Sequence, residues 1–211
     1  MQTKKQLEKL AAGGDINAQF ELGHRLAFGR RAGTDQPWKL IFNYWKQSAE
    51  KGHLRAMFYL GTCYDHGYGT RKNLPLAFKW FMKAANAGHR DAQYNIGFFY
   101  REGEVVRKSY KKMVYWYYLA ATVGLIDAQR DLGYAYFYGN GIKKDAKQAV
   151  YWYKKAASSN DDKALYNLGL CYKFGDGVRQ SHRWAKYYFL RAVQRGHAEA
   201  KNQLKNLHLS N

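Results

Sequence analysis

The sequence predicts an all-α protein, a stack of five two-helix repeats of about 36 residues with a half-repeat at each end. Three recurrences predict it. A Leu-Gly or Ile-Gly pair returns at Leu22-Gly23, Leu60-Gly61, Ile96-Gly97, Leu132-Gly133 and Leu168-Gly169, at spacings of 38, 36, 36 and 36 residues. An alanine stands five residues before each of these glycines, at Ala18, Ala56, Ala92, Ala128 and Ala164, and again at Ala200. A large aromatic recurs every 36 residues at Tyr44, Trp80, Trp116, Trp152 and Tyr188. The two extra residues of the first unit therefore fall in its internal loop, "GRRAGTDQP".

Taken in order, the chain reads as a single repeat domain over 1–211, opening with an N-terminal capping helix at 2–14. Units follow at 15–52, 53–88, 89–124, 125–160 and 161–196, and a C-terminal capping helix and tail occupy 197–211. Leu7 to Gly14 is the tail of an unpaired second helix and Ala200 to Leu207 an unpaired first helix, which brings the count to 12 helices. Such half-repeats cover the apolar faces that a stack leaves open. Each first helix runs from about the alanine to the glycine of "HGYG", "YGNG" or "FGDG". Each second helix carries the aromatic pair and closes at Gly52, Gly88, Gly124, Asn160 or Gly196, residue types that accept the left-handed backbone of a helix end. A mid-helix glycine costs about 1 kcal/mol relative to alanine. Its repetition makes sense where another helix must approach closely, and Ala84-Ala85, Ala120-Ala121 and Ala156-Ala157 offer a matching small surface.

The stretches "AMFYLGTCYDHGYGTRKNLPLAFKWFMKAANAGH", "AQYNIGFFYREGEVV", "AQRDLGYAYFYGNGIKKD" and "ALYNLGLCYKFGDGV" resemble Sel-one-like repeats (SLR), relatives of the tetratricopeptide repeat. The departures are Asn160 for the closing glycine, Tyr44 and Tyr188 for tryptophan, and the enlarged first loop. The resemblance implies a right-handed, tetratricopeptide-like α-solenoid that acts as an adaptor, with first helices lining a concave groove. By the same analogy, positions three, seven, ten and eleven of each first helix, counting from the alanine, point into that groove. These are Phe58, Thr62, Asp65 and His66, then Tyr94, Phe98, Arg101 and Glu102. The next units supply Arg130, Tyr134, Phe137 and Tyr138, then Tyr166, Leu170, Lys173 and Phe174. Tyr94 and Tyr166 are also candidates for packing between repeats. The partner-binding set is therefore Phe98, Arg101, Glu102, Arg130, Tyr134, Phe137, Tyr138, Lys173 and Phe174, with aromatics as anchors and the cations selecting an acidic segment.

With 35 Lys+Arg against 16 Asp+Glu, the formal net charge is +19, a field that favours acidic proteins, nucleic acid or anionic lipid. Part of it lies in the loops between the two helices of each unit: Arg30-Arg31, Arg71-Lys72, Arg107-Lys108, Lys143-Lys144 and Arg179. These form a candidate basic edge for an anionic partner. The start "MQTKKQLEKLAAGGD" has no apolar signal-peptide core, and "VYWYYLAATVGL" is too short to span a bilayer, so the expectation is a cytoplasmic chain.

Signals of chemistry are weak. Ser-x-x-Lys occurs at Ser48–Lys51 and Ser109–Lys112 without the partner motifs of serine acylating enzymes. His53, His89 and His197 share one repeat position with Asp15 and Asp161, which points to helix N-caps rather than a metal site. Cys63 and Cys171 lie three repeats apart, too far for a disulfide, and are expected as free thiols. Trp80, Trp116 and Trp152 read as core. The sequence thus points to a non-enzymatic, bacterial adaptor without cofactor or metal, monomeric, binding another protein with an acidic surface. A regulator or a toxin-neutralising immunity protein is the specific version. The alternatives are nucleic-acid or anionic-surface binding through the basic loops, and a β-lactam-binding, hydrolase-like activity.

Overall fold

A computed structural model describes residues 2–29 and 36–208, and every regular element among them is an α-helix. The first helices of the repeats are α2 (Ile16–Phe28), α4 (Leu54–His66), α6 (Arg90–Glu102), α8 (Ile126–Tyr138) and α10 (Asp162–Phe174). Their partners are α3 (Trp38–Glu50), α5 (Leu74–Asn86), α7 (Tyr110–Thr122), α9 (Ala146–Ser158) and α11 (His182–Gln194). The half-repeats are α1 (Lys4–Ala12) and α12 (Ala198–His208), which makes twelve helices among the described residues of this helical solenoid. The helices gather into two compact units. One comprises residues 1–99 and 103–107, the other residues 100–102 and 108–211.

The caps explain the repeat. Asp15, His53, His89 and Asp161 lie just before their first helices, and each side chain accepts the N–H of Ala18, Ala56, Ala92 or Ala164. First helices consequently begin two residues before the recurring alanine, which is their third residue. Asn73, Ser109, Asp145 and Ser181 cap the second helices in the same way. Their backbone N–H groups also donate to the carbonyls of Tyr64, Tyr100, Tyr136 and Tyr172 at 2.7, 2.8, 2.9 and 2.8 Å, tying each loop back to its first helix. The Gly-x-Gly elements serve that loop: Gly67 has φ +80° at the end of α4, and a Cβ on Gly69 would run into the carbonyl of Trp38.

The mid-helix glycines are packing notches. A Cβ on Gly23 would lie 2.6 Å from Trp45 Nε1, one on Gly61 2.7 Å from the Phe81 ring, and one on Gly133 2.7 Å from the Tyr153 ring. Gly169 would meet Phe189 in the same way. What fills the notch is thus the residue after the recurring large aromatic, with the alanine pairs buried alongside. Trp116 and Trp152 are buried as expected, whereas Trp80 is only half-buried.

Each unit has its own apolar interior. In the first, Phe20, Ile41, Trp45, Leu60 and Cys63 pack together, while α1 lays Leu7 and Ala11 on Ala18 and Leu22. In the second, Tyr153, Leu165, Leu168, Cys171 and Phe189 form the centre, and α12 closes it with Ala200 and Leu207.

Candidate functional site

Counted from the recurring alanine, the third position makes inter-repeat contacts at Phe20, Phe58 and Tyr166. Phe20 stacks on His53 at 4.4 Å, Phe58 on His89 at 4.5 Å and Tyr166 on His197 at 4.3 Å. Burial, aided by Arg55, lowers the pKa of His53, and burial lowers that of His89 despite Asp91. The neutral imidazoles can therefore use Nδ1 as the acceptor that caps the helix, at 3.1 and 3.4 Å from the N–H groups of Ala56 and Ala92. In the fourth repeat the stacked pair is replaced by an ion pair: Arg130 Nη1 lies 3.0 Å from Asp161 Oδ2. Arg130 also meets Asp127 at 2.8 Å and Asp131 at 3.0 Å. Burial opposes its charge, but Asp131, Asp161 and Asp127 together outweigh that and hold its pKa above the usual arginine value. Three carboxylates already neutralise this guanidinium, so it is a structural joint between α8 and α10 rather than a free cation facing a ligand.

The later positions differ. On the first helices of the second unit, Tyr134, Tyr138 and Phe174 are 48%, 57% and 62% exposed. The rings of Tyr134 and Tyr138 lie 4.3 Å apart, and Phe137, half-buried, meets Tyr138 edge-on at 5.0 Å. Lys173 donates to Gln203 at 2.8 Å while its ammonium lies 5.2 Å from the Phe174 ring. Two hollows flank Tyr134. The larger, about 410 Å³, is lined by Arg101, Tyr110, Met113, Tyr117, Asp131, Tyr134, Ala135 and Asn140. The smaller, about 40 Å³, lies between α8 and α10 with Tyr153, Leu170 and Cys171 among its walls. Arg101 pairs with Glu102 at 2.7 Å and reaches Asp131 at 3.9 Å, which places opposite charges side by side at the mouth of the larger hollow. Burial pushes the Tyr117 phenol above its ordinary pKa, so this wall stays neutral. In the first unit, Phe98 is 43% exposed on α6.

Of the basic edge, Arg71, Lys72 and Arg107 are exposed in the first unit and Lys108, Lys143, Lys144 and Arg179 in the second. Arg30 and Arg31 lie outside the described residues. The serines have structural partners: Ser48 donates to the Ile16 carbonyl at 2.7 Å, and Ser109 accepts the Lys112 N–H as a helix cap. Both cysteines are free and buried, and burial raises each thiol to about 12, with Asp176 adding to the effect at Cys171. No group of three or more potential metal ligands gathers among the described residues.

Sequence reasoning missed two recurring devices. Gln19, Gln93 and Gln129 are buried, each donating to the carbonyl eight residues earlier, at Ala11, Ala85 and Ala121. The Ala-Gln pairs at 18–19, 92–93 and 128–129 carry that signal. The caps Asn73, Ser109, Asp145 and Ser181, spaced by 36, were legible in the same way.

Helix hairpins with these notches and caps define a helical-repeat protein. Sel1 repeats match residues 54–89, 90–125, 126–161 and 162–197, more than half of the chain, and the chain belongs to the Sel1 repeat family. The matched repeats start at the first helical residue, one position later than the units read from the sequence. The chain is similar to a protective antigen present in uropathogenic Escherichia coli strains, whose crystal structure displays an SLR fold, at 30% identity and a TM-score of 0.91. That match covers 98% of this chain and 44% of the antigen, so the chain spans less than half of that relative. A Sel1 repeat protein from Oxalobacter formigenes is similar at 31% identity and a TM-score of 0.82, over 93% of this chain and 80% of that one. An immunity protein from Pseudomonas aeruginosa, at 22% identity and a TM-score of 0.54 over 88% of this chain and 67% of that one, shares the fold alone. Comparison with curated proteins gives no match. Sel1 repeat proteins are in general interaction scaffolds that bind other proteins. No described helix is long and apolar enough to cross a membrane.

Proposed function

We propose that the chain is a non-enzymatic adaptor that binds a partner protein on the first-helix face of its second unit. The observation that carries this reading is the exposure of Tyr134, Tyr138 and Phe174 on α8 and α10, with Tyr134 bordering a hollow of about 410 Å³. Rigid aromatics bordering a pocket are the usual material of binding hot spots. Tyr110, Met113 and Tyr134 offer an apolar seat for one side chain of the partner, and the adjacent Arg101 and Asp131 can hold polar backbone groups beside it. Lys173 and the net charge of +19 favour a partner with an acidic surface. Arg130 is left out of this site because its carboxylate partners are internal. Phe98, on the first unit, stays a separate candidate contact. A bacterial regulator or a toxin-neutralising immunity protein is the finer form of the proposal, and the monomer is its expected state.

Affinity capture from cell lysate with mass spectrometry, run with and without nuclease, tests the reading. A protein retained after nuclease treatment by the unmodified chain, and lost by a Tyr134→Ala, Tyr138→Ala, Phe174→Ala variant, supports it. Retention that disappears with nuclease favours the second reading, a nucleic acid held by exposed loop residues such as Lys143, Lys144 and Arg179.

A further inference from the structure

The second helices of the second unit carry a surface that the adaptor reading does not use. On α7, α9 and α11 one stripe at spacing i, i+4, i+7, i+11 is exposed at every position. It reads Lys111, Tyr115, Tyr118, Thr122 on α7, and Lys147, Tyr151, Lys154, Ser158 on α9. On α11 it reads Arg183, Tyr187, Leu190, Gln194. The repeat therefore stacks a column of cations beside a column of tyrosines. Across the three helices there are eight Lys or Arg and no Asp or Glu. The same stripe in the first unit is Lys39, Asn43, Lys46, Glu50 on α3 and Pro75, Lys79, Met82, Asn86 on α5, without a single aromatic. The notches at Gly133 and Gly169 are filled by Tyr153 and Phe189, not by these exposed rings.

The three stripes lie side by side. Tyr118 of α7 meets Trp152 of α9 edge-on at 6.1 Å, and Arg191 of α11 donates to Asn160, just past α9, at 2.7 Å. Each stripe is about 17 Å long at the helical rise. The result is a two-dimensional array rather than a channel. Two of its rings are not open platforms: Lys155 Nζ lies 5.7 Å from the Tyr151 centroid and the Arg191 guanidinium carbon 5.6 Å from that of Tyr187, so one ring face of each is engaged by a cation. Tracking a single nucleic-acid strand calls for a groove with free ring faces. An extended acid-free face of tyrosines, a tryptophan (Trp184, 48% exposed) and long cationic side chains has instead the composition that settles at the headgroup level of a bilayer.

We propose that this face docks the protein onto an anionic phospholipid surface, the cations meeting headgroup phosphates and the tyrosine rings entering the interfacial layer. Docking here leaves the exposed aromatics of α8 and α10 available to a protein partner.

The test is flotation of the full chain with phosphatidylcholine vesicles with and without phosphatidylglycerol, alongside binding to a single-stranded oligonucleotide at equal salt. Binding is expected only with phosphatidylglycerol and is expected to weaken as salt is raised. Lys111→Glu, Lys147→Glu and Arg183→Glu together should lower vesicle partitioning by at least about 100-fold, since each cation near an anionic surface contributes about fivefold. Tyr115→Ser, Tyr151→Ser and Tyr187→Ser should lower it by about 10-fold or more with helicity unchanged by circular dichroism, the rings being outside the core. Lys39→Glu with Lys79→Glu, on the first unit, should cost less than either triple. Equal loss from the first-unit reversal, or oligonucleotide binding without vesicle binding, overturns the proposal. Should the tyrosine variant lose helicity, the charge reversal decides on its own.

Discussion

Gly133→Ala probes the packing notch that the repeat places in every first helix. Alanine is the better helix former by about 1 kcal/mol. Against that, its Cβ would lie 2.7 Å from two carbons of the Tyr153 ring and 3.2 Å from the Ala149 carbonyl oxygen. Overpacking of this kind costs about 1–3 kcal/mol. The Tyr153 ring is 2% exposed, and a hollow of about 40 Å³ lies beside it. The ring can yield a little in that direction, while the carbonyl belongs to α9 and cannot. The net expectation is a loss of about 1 kcal/mol, or about 2–4 °C in Tm for a chain of this size. The assay is chemical and thermal denaturation followed by helical ellipticity, for Gly133→Ala alone and in a Tyr153→Leu background. With the ring gone, the same alanine should become stabilising by up to about 1 kcal/mol, a reversal of sign across the cycle. If Gly133→Ala stabilises the otherwise unchanged protein, the glycine is not a notch and the packing argument fails.

Two further outcomes follow from the buried titratable groups. His53 and His89 have pKa values lowered by burial, so at mildly acidic pH the unfolded chain binds protons that the folded chain does not. Stability should hold above the ordinary histidine pKa of about 6.5 and fall as pH drops below it, levelling off beneath the lowered folded values. His53→Asn with His89→Asn keeps a capping side chain and should flatten that slope in a pH series of urea midpoints, and an unchanged slope would count against the neutral-imidazole cap. Cys63 and Cys171, with thiols raised to about 12, should resist a thiol reagent in the native protein and both react on unfolding. An intramolecular disulfide found by mass spectrometry would overturn the repeat order.

The fold was legible because glycine, alanine and aromatic recur at one period, and each recurrence has a single physical cause. The alanine is the third helical residue behind a cap, and the glycine admits a ring from the paired helix. What periodicity could not tell was which of two adjacent aromatics enters the notch: Trp152 and Tyr153 are both buried, but only Tyr153 lies against Gly133. The candidate site was legible in part. Position and residue type brought Tyr134, Tyr138 and Phe174 forward, and they are exposed. Arg130 carried the same positional signal, yet its environment depends on Asp161, 31 residues away at the N-cap of the next first helix. A cation read from one repeat does not announce the carboxylate it meets in the next.

The central claim, that a protein partner is held on the first-helix face of the second unit, is tested most directly by calorimetric titration of the captured partner. The protein would carry Tyr134→Ala, Tyr138→Ala and Phe174→Ala together. The account predicts a loss of at least about 2 kcal/mol, a factor of roughly 30 in Kd, with Tm lowered much less than by Trp116→Ala, whose side chain is buried. Unchanged affinity in the triple variant, with binding lost on reversing Lys143, Lys144 and Arg179 to glutamate, would contradict it and move the functional surface to the basic edge.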